Sequence, residues 1–232
     1  MKGNFRLGVI LAIFAAAGCA SLAVVYSITK PSIEMQDQKA LNDSLKELFP
    51  EAASFEDISS SMKSTTEGVQ FDQAFLVKSA LAPLGVAVKA TGSSYGGAAR
   101  LLVGVTLTRS VAGVRVLELN DTPGLGMNAK NDNYFVNKAN KLTFPGQYKG
   151  KFLTDAFEVK KDVAAITAAT ITSKALTRIV KAAADAGAAW LESQPAATAV
   201  AQPAPETPAP PAVAAPPAAA LPPRAAQTKG GK

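Results

Sequence analysis

Residues 166–192, ITAATITSKALTRIVKAAADAGAAWLE, change character at Thr170. Before that point and just past it lies a run of hydroxyl and small residues, Ile166-Thr167-Ala168-Ala169-Thr170-Ile171-Thr172-Ser173. Beyond it, Leu176, Ile179, Val180, Ala183, Trp190 and Leu191 recur on one face at helical spacing, with Gly187 the only gap. The spacing predicts an amphipathic helix from 170 to about 192 whose apolar stripe packs on a sheet, which leaves its N-terminus as the functional candidate. That end has two readings. The first amides of a helix lack intrahelical acceptors and carry the positive end of its dipole, so small residues there admit a phosphate. The plainer reading makes Thr172 or Ser173 a helix cap.

The sheet is sought upstream. Runs at 74–79, 85–90, 98–107 and 113–119 are rich in Val and Leu and are separated by Gly, Pro or Ser, which predicts a small, mainly antiparallel sheet. The fold class is therefore α+β. Two connections in this region stand out. Asp121-Thr122-Pro123-Gly124-Leu125-Gly126 joins a stiff Pro to two permissive glycines, giving either an ordinary turn or a backbone wall that offers amides and the Leu125 side chain to a flat ring. Ser94-Tyr95-Gly96-Gly97 precedes a strand and reads as a turn or bulge.

The N-terminal stretch 7–28 carries no charge and is about as long as a bilayer-spanning helix. Lys2 and Arg6 precede it, whereas Lys30, Glu34, Asp37 and Lys39 cancel after it, so the N-terminus is expected in the cytoplasm and everything beyond 28 outside it. A cleaved signal peptide and a lipoprotein signal ending at Cys19 fit less well, because the apolar region is long and stays uncharged past Cys19. Ile33, Leu41, Leu45 and Leu48 predict an amphipathic helix over 32–49 that ends at Pro50. After Pro195 a Pro and Ala tract offers few large apolar side chains, which predicts a disordered tail. The expected organisation is an anchor at 1–30, a helical connector and start of the domain at 31–70, a folded domain at 71–194 and the tail at 195–232.

The chain has no His and only one Cys, Cys19. Ser-His-Asp and Cys-His nucleophiles, His-ligated metals or haem, and Cys-ligated iron-sulfur clusters all need side chains it does not have. Redox chemistry would need an organic cofactor. The net charge of +6 is scattered rather than gathered in a stripe, which argues against nucleic acid as a partner.

In their order along the chain, the Tyr95-Gly96-Gly97 turn, the Thr122-Pro123-Gly124-Leu125-Gly126 loop and the Thr-containing run ending at Thr170 resemble a known family. It is the FMN-binding domain family shared by the G subunit of Rnf-type electron transport complexes and the C subunit of the sodium-translocating NADH:quinone reductase. The likeness covers most of residues 5–190 and includes the N-terminal membrane helix and a stretch with Phe and Gly at 144–151. The family motif is Asp, two residues, Ser or Thr, Gly, Ala, Thr, and a flavin transferase esterifies FMN to the last Thr. By this resemblance that residue is Thr170, with Thr167 and Ala169 also matching. Ala168 stands where the family has Gly, Ala164 where it has Asp, and Asp162 comes two residues too early; Asp121 replaces the family's Glu, and the His before it is missing.

The resemblance implies FMN on Thr170, with Thr167, Ala168, Ala169, Thr172, Ser173, Tyr95, Gly96, Gly97, Thr122, Pro123, Gly124, Leu125 and Gly126 around it. It also implies an electron relay in the inner membrane with an extracytoplasmic, periplasmic flavin domain. Other membrane subunits and a flavin transferase would be its partners, and ferredoxin and NAD oxidoreduction would drive Na+ or H+ movement. The alternatives are a component like that of the quinone reductase, and a flavin-free scaffold tethered to the membrane.

Overall fold

The computed structural model describes residues 2–194, so the tail expected at 195–232 lies outside the described residues. The chain opens with helix α1, Lys2–Leu48. Strands β1 (Ser54–Asp57), β2 (Val69–Lys78), β3 (Pro83–Ser93), β4 (Ala98–Thr106) and β5 (Val111–Leu119) follow, paired in sequence order as one five-stranded antiparallel meander. A short hairpin, β6 (Phe135–Asn137) and β7 (Leu142–Thr143), precedes helix α2, Thr170–Ser193. This is the α+β architecture, with an apolar N-terminal helix and a mainly antiparallel sheet, that the sequence patterns predict.

Both faces of the sheet are covered, which explains why its strands read as Val- and Leu-rich runs rather than strict alternation. Val86, Val88, Leu101, Val103 and Val105 share one core with Leu176, Ile179, Val180 and Ala183 of α2. Ala87, Leu102 and Val77, pointing the other way, share a second core with Leu41, Leu45 and Phe49 from the end of α1. Leu101, Leu102 and Val103 are consecutive and all fully buried, as residues on a two-sided sheet must be.

The anchor and the amphipathic segment, expected as two pieces, are one helix with Pro31 inside it. Proline removes one backbone donor there. Residues 29–40 are exposed all round, so about 18 Å of helix stands between the apolar stretch and Leu41, the first seated residue. The apolar part is long enough to cross a membrane and none of it is buried in the protein. β1 and the first residues of β2, within the 31–70 stretch read as connector and start of the domain, belong to the sheet.

Residues 120–169 are mostly irregular and lock onto α2 through a few large side chains. The Tyr148 ring is fully buried between Phe144 and Phe157, and its hydroxyl lies 2.7 Å from that of Thr177 on α2. Burial pushes this hydroxyl's pKa well above its ordinary value, against the opposing effect of its hydrogen bond with Thr177. Asp162 closes the 157–162 loop. Burial pushes its carboxyl up, but the N–H of Glu158, the Lys151 ammonium and the N–H of Phe157 together hold it below the usual carboxylate value. The Asp that sits two residues early for the motif therefore has a local structural task. At the motif's own Asp position, the backbone of Ala164 is held by the Gln147 amide, which accepts its N–H at 2.7 Å and donates to its carbonyl at 3.2 Å.

Candidate functional site

Three connections far apart in sequence meet at one end of the sheet. The register pairs Ser93 with Ala98 and Ala99 with Leu119, so the β3–β4 turn and the exit of β5 lie side by side. The start of α2 arrives at the same place, since Ile179 packs directly on Gly92. Between these segments is a cleft of about 450 Å³ lined by Tyr95, Thr122, Leu125, Gly126, the 168–170 backbone run, Ile171 and Thr172. Ligand pockets typically fall in this size range.

The pre-helical segment supplies one wall. Ala169 precedes α2 and contributes no side-chain cap. The first bonded amide is that of Ser173, to the Ala169 carbonyl at 3.0 Å, so the N–H groups of Thr170, Ile171 and Thr172 have no protein acceptor. Neither Thr172 nor Ser173 is a cap, which corrects the plainer reading of this sequence. Ser173 is fully buried; its hydroxyl accepts the Ile166 N–H at 3.0 Å and donates to the Ala169 carbonyl at 2.9 Å, clasping the loop to the first turn. Thr172 is only 2 % exposed, yet its hydroxyl makes no hydrogen bond and is not sealed from solvent, so it opens onto the cleft.

The facing wall is the loop after β5. A Cβ on Gly126 would lie 2.8 Å from Asp121 Oδ2 and 2.8 Å from Thr172 Oγ1, so only glycine lets this loop reach α2. Leu125, Tyr95 and Ile171 stand at the cleft with 39 %, 66 % and 63 % of their surface exposed. Apolar side chains exposed together around a cavity mark a place where something apolar sits.

Of the residues expected at the site, Tyr95, Thr122, Leu125, Gly126, Ala168, Ala169, Thr170 and Thr172 line the cleft. Gly96, Gly97, Pro123 and Gly124 are exposed parts of the same two loops and Ser173 is buried in the first turn of α2, none of them lining the cleft, and Thr167 is exposed, with its N–H donated to the Tyr134 hydroxyl at 3.3 Å. Two residues named in the motifs take roles that the sequence did not give them. Ile171, in the first turn of α2, lines the cleft. Asp121, at the start of the 121–126 loop, is 7 % exposed and accepts hydrogen bonds from Ser94 Oγ at 2.7 Å and from the Gly96 N–H.

Ala168 has φ +58°, the left-handed region that favours glycine, at the position where the resembled motif has Gly. The loop therefore takes the glycine conformation despite the Cβ. Ala168→Gly is expected to stabilise the domain by about 0.5–1 kcal/mol, the left-handed strain of Ala less the extra unfolded-state entropy of Gly. A urea titration checks this, and a destabilised Gly variant would show that the loop is not strained.

No lining residue is charged. The cleft thus combines three open amides at a helix N-terminus, which suit a phosphate, with an apolar rim that suits a flat ring. FMN has both parts, so the residues present fit it.

Comparison with known proteins agrees with this geometry. Residues 94–185 match the FMN-binding domain family, and residues 4–48 match the RnfG N-terminal region. The G subunit of the proton-translocating ferredoxin:NAD(+) oxidoreductase complex of Clostridium ljungdahlii is 32% identical over 69% of this chain and 78% of its own length. The G subunit of the ion-translocating oxidoreductase complex of Yersinia pestis is 34% identical over 79% of this chain and 90% of its own. The G subunit of the Na(+)-translocating ferredoxin:NAD(+) oxidoreductase complex of Acetobacterium woodii is 28% identical over 76% and 87%.

Proposed function

Because the chain belongs to the RnfG family, the G subunits of ion-translocating oxidoreductase complexes, and so is a single-pass membrane flavoprotein that binds FMN and has the other complex subunits as partners, we propose that its FMN is esterified to Thr170 and relays electrons across the 95–126–172 cleft. It is an electron carrier within the complex rather than a catalyst on its own. The flavin domain lies outside the cytoplasm, on the side set by Lys2 and Arg6, and a flavin transferase loads it. The ferredoxin and NAD couple named for two of the relatives extends to this chain as the reaction of its complex. The match of 4–48 to the RnfG N-terminal region favours this membership over that of the quinone reductase, and the fit of the cleft to FMN disfavours a flavin-free scaffold.

The observation that carries the reading is Thr170 as the first residue of an uncapped helix, at the mouth of a cleft without a charged side chain. A free phosphate monoester carries close to two negative charges at neutral pH and is ordinarily held by Arg or Lys. A diester carries one. Three open amides and the helix dipole match that smaller charge, and a covalent bond replaces the missing ion pair.

FMN supplies reversible electron uptake through its ring. The chain's residues do the rest. The amides at 170–172 orient the phosphate end, while Tyr95, Leu125 and Ile171 narrow the cleft and limit water. Thr172 offers a hydroxyl as donor or acceptor inside it.

Protease shaving of spheroplasts expressing the full chain with a flavin transferase tests attachment and orientation together. A released fragment that stays fluorescent in a denaturing gel is the expected result. Release without fluorescence would refute the ester, and a protected fluorescent fragment beside an intact cytoplasmic marker would refute the orientation.

A further inference from the structure

We propose that Asp121 is the positioning residue of the flavin cleft: its carboxylate clamps the 94–97 turn to the 122–126 loop and so holds Tyr95 and Leu125 at their separation across the cavity. The inference rests on FMN occupying that cleft. Asp121 does not line the cleft itself, so it acts through its neighbours.

Five contacts carry the argument. Ser94 Oγ donates to Oδ2 at 2.7 Å, and the Gly96 N–H donates to Oδ1, so both carboxylate oxygens hold the turn that presents Tyr95. On the other side, a Cβ on Gly126 would come within 2.8 Å of Asp121 Cβ, so the loop presenting Leu125 rests directly on this side chain. Gly126 also abuts Thr172 Oγ1, again at 2.8 Å from that Cβ position, which continues the line of contact into α2. Finally, the Gly96 Cα faces the Asn120 carbonyl so closely that a Cβ there would lie 2.3 Å from it, leaving the turn no room to shift toward the strand end.

An ordinary turn has no need of such a group. The carboxylate is 7 % exposed and no Lys or Arg pairs with it among the described residues. Burying an anion without a counter-ion is unfavourable unless hydrogen bonds to the charged form hold it, and here two donors from the 94–97 turn do so. Its charge stands just behind the cleft wall, where it opposes added electrons in the cleft and lowers the potential of a bound flavin.

The two roles separate by substitution. Asp121→Asn keeps an acceptor for Gly96 and can pair its amide with Ser94, but removes the charge; Asp121→Ala removes both. The full chain is prepared in detergent as wild type, Asp121→Asn, Asp121→Ala and Ser94→Ala, with and without flavin transferase. Without flavin, hydrogen exchange of the Gly96 amide is expected to accelerate on the order of tenfold to a hundredfold in Asp121→Ala and to stay at the wild-type rate in Asp121→Asn. With flavin, the Ala variant is expected to show flavin fluorescence raised toward that of free FMN. The Asn variant should keep the wild-type spectrum with a more positive reduction potential.

Wild-type exchange and spectrum in Asp121→Ala, or equal behaviour of the Asn and Ala variants, would overturn the clamp. An unshifted potential in Asp121→Asn would overturn its electrostatic part. If Asp121→Ala does not unfold cooperatively, Ser94→Ala decides, since it removes one donor and should give intermediate exchange; wild-type exchange there overturns the clamp. A wild-type protein that takes no flavin would count against the FMN reading alone, because the exchange measurement needs none.

Discussion

Thr170→Ala is expected to abolish the FMN adduct and leave the domain folded. The substitution removes the oxygen that the proposed ester uses. Alanine is at least as good a helix residue, and the Thr170 side chain makes no hydrogen bond in the structure, so α2 should be unaffected. The neighbouring hydroxyls serve as controls with different expected outcomes. Thr172→Ala removes a hydroxyl with no protein partner and should keep the adduct. Ser173→Ala leaves the buried Ile166 N–H without its acceptor, a loss of about 1–3 kcal/mol in stability, while the adduct remains on the folded protein. Intact-mass measurement after expression with a flavin transferase reads all three. An adduct on Thr170→Ala would refute the assignment, and its absence from wild type would show that Ala164 and Ala168 have disabled recognition.

Leu45→Ala is expected to destabilise the domain by about 2–5 kcal/mol, the usual cost of a cavity in a well-packed core. Leu45 is 1 % exposed and sits among Leu41, Phe49, Val77, Ala87 and Leu102, where the end of the anchor helix covers the sheet face opposite α2. Ile33, three turns earlier on the same helix, is 52 % exposed, and Ile33→Ala should change stability by about 0.5 kcal/mol or less. Urea unfolding in detergent compares the two. Equal midpoints would show that α1 is only a tether; a large difference would show that the anchor's last turns are part of the folded domain.

Much of this architecture was open to inspection in the amino-acid order. The membrane helix, α2 and the Val-rich strands follow from local periodicity, and the absence of His with a single Cys left an organic cofactor as the route to redox chemistry. The shorter pieces were not legible. β1 and the β6–β7 hairpin span only 4, 3 and 2 residues, too few for a period to register. The segments expected at 7–28 and 32–49 are one helix, which continues through Pro31 although proline removes a donor there.

The motif around Thr170 was visible as small residues entering an apolar-striped helix, but the sequence alone could not choose between a capped end and an open one. That choice belongs to the tertiary structure, because it depends on where the Ser173 hydroxyl goes, and it goes to a backbone amide seven residues back. The left-handed turn at Ala168 is likewise imposed by the packed loop against the residue's own preference. Asp121 is the clearest case. Its partners Ser94 and Gly96 lie 27 and 25 residues away, and no local pattern joins positions so distant. Periodicity acts within an element and determined the elements; the cleft exists only where three connections are brought together by strand register and helix packing, and so it was decided by the fold.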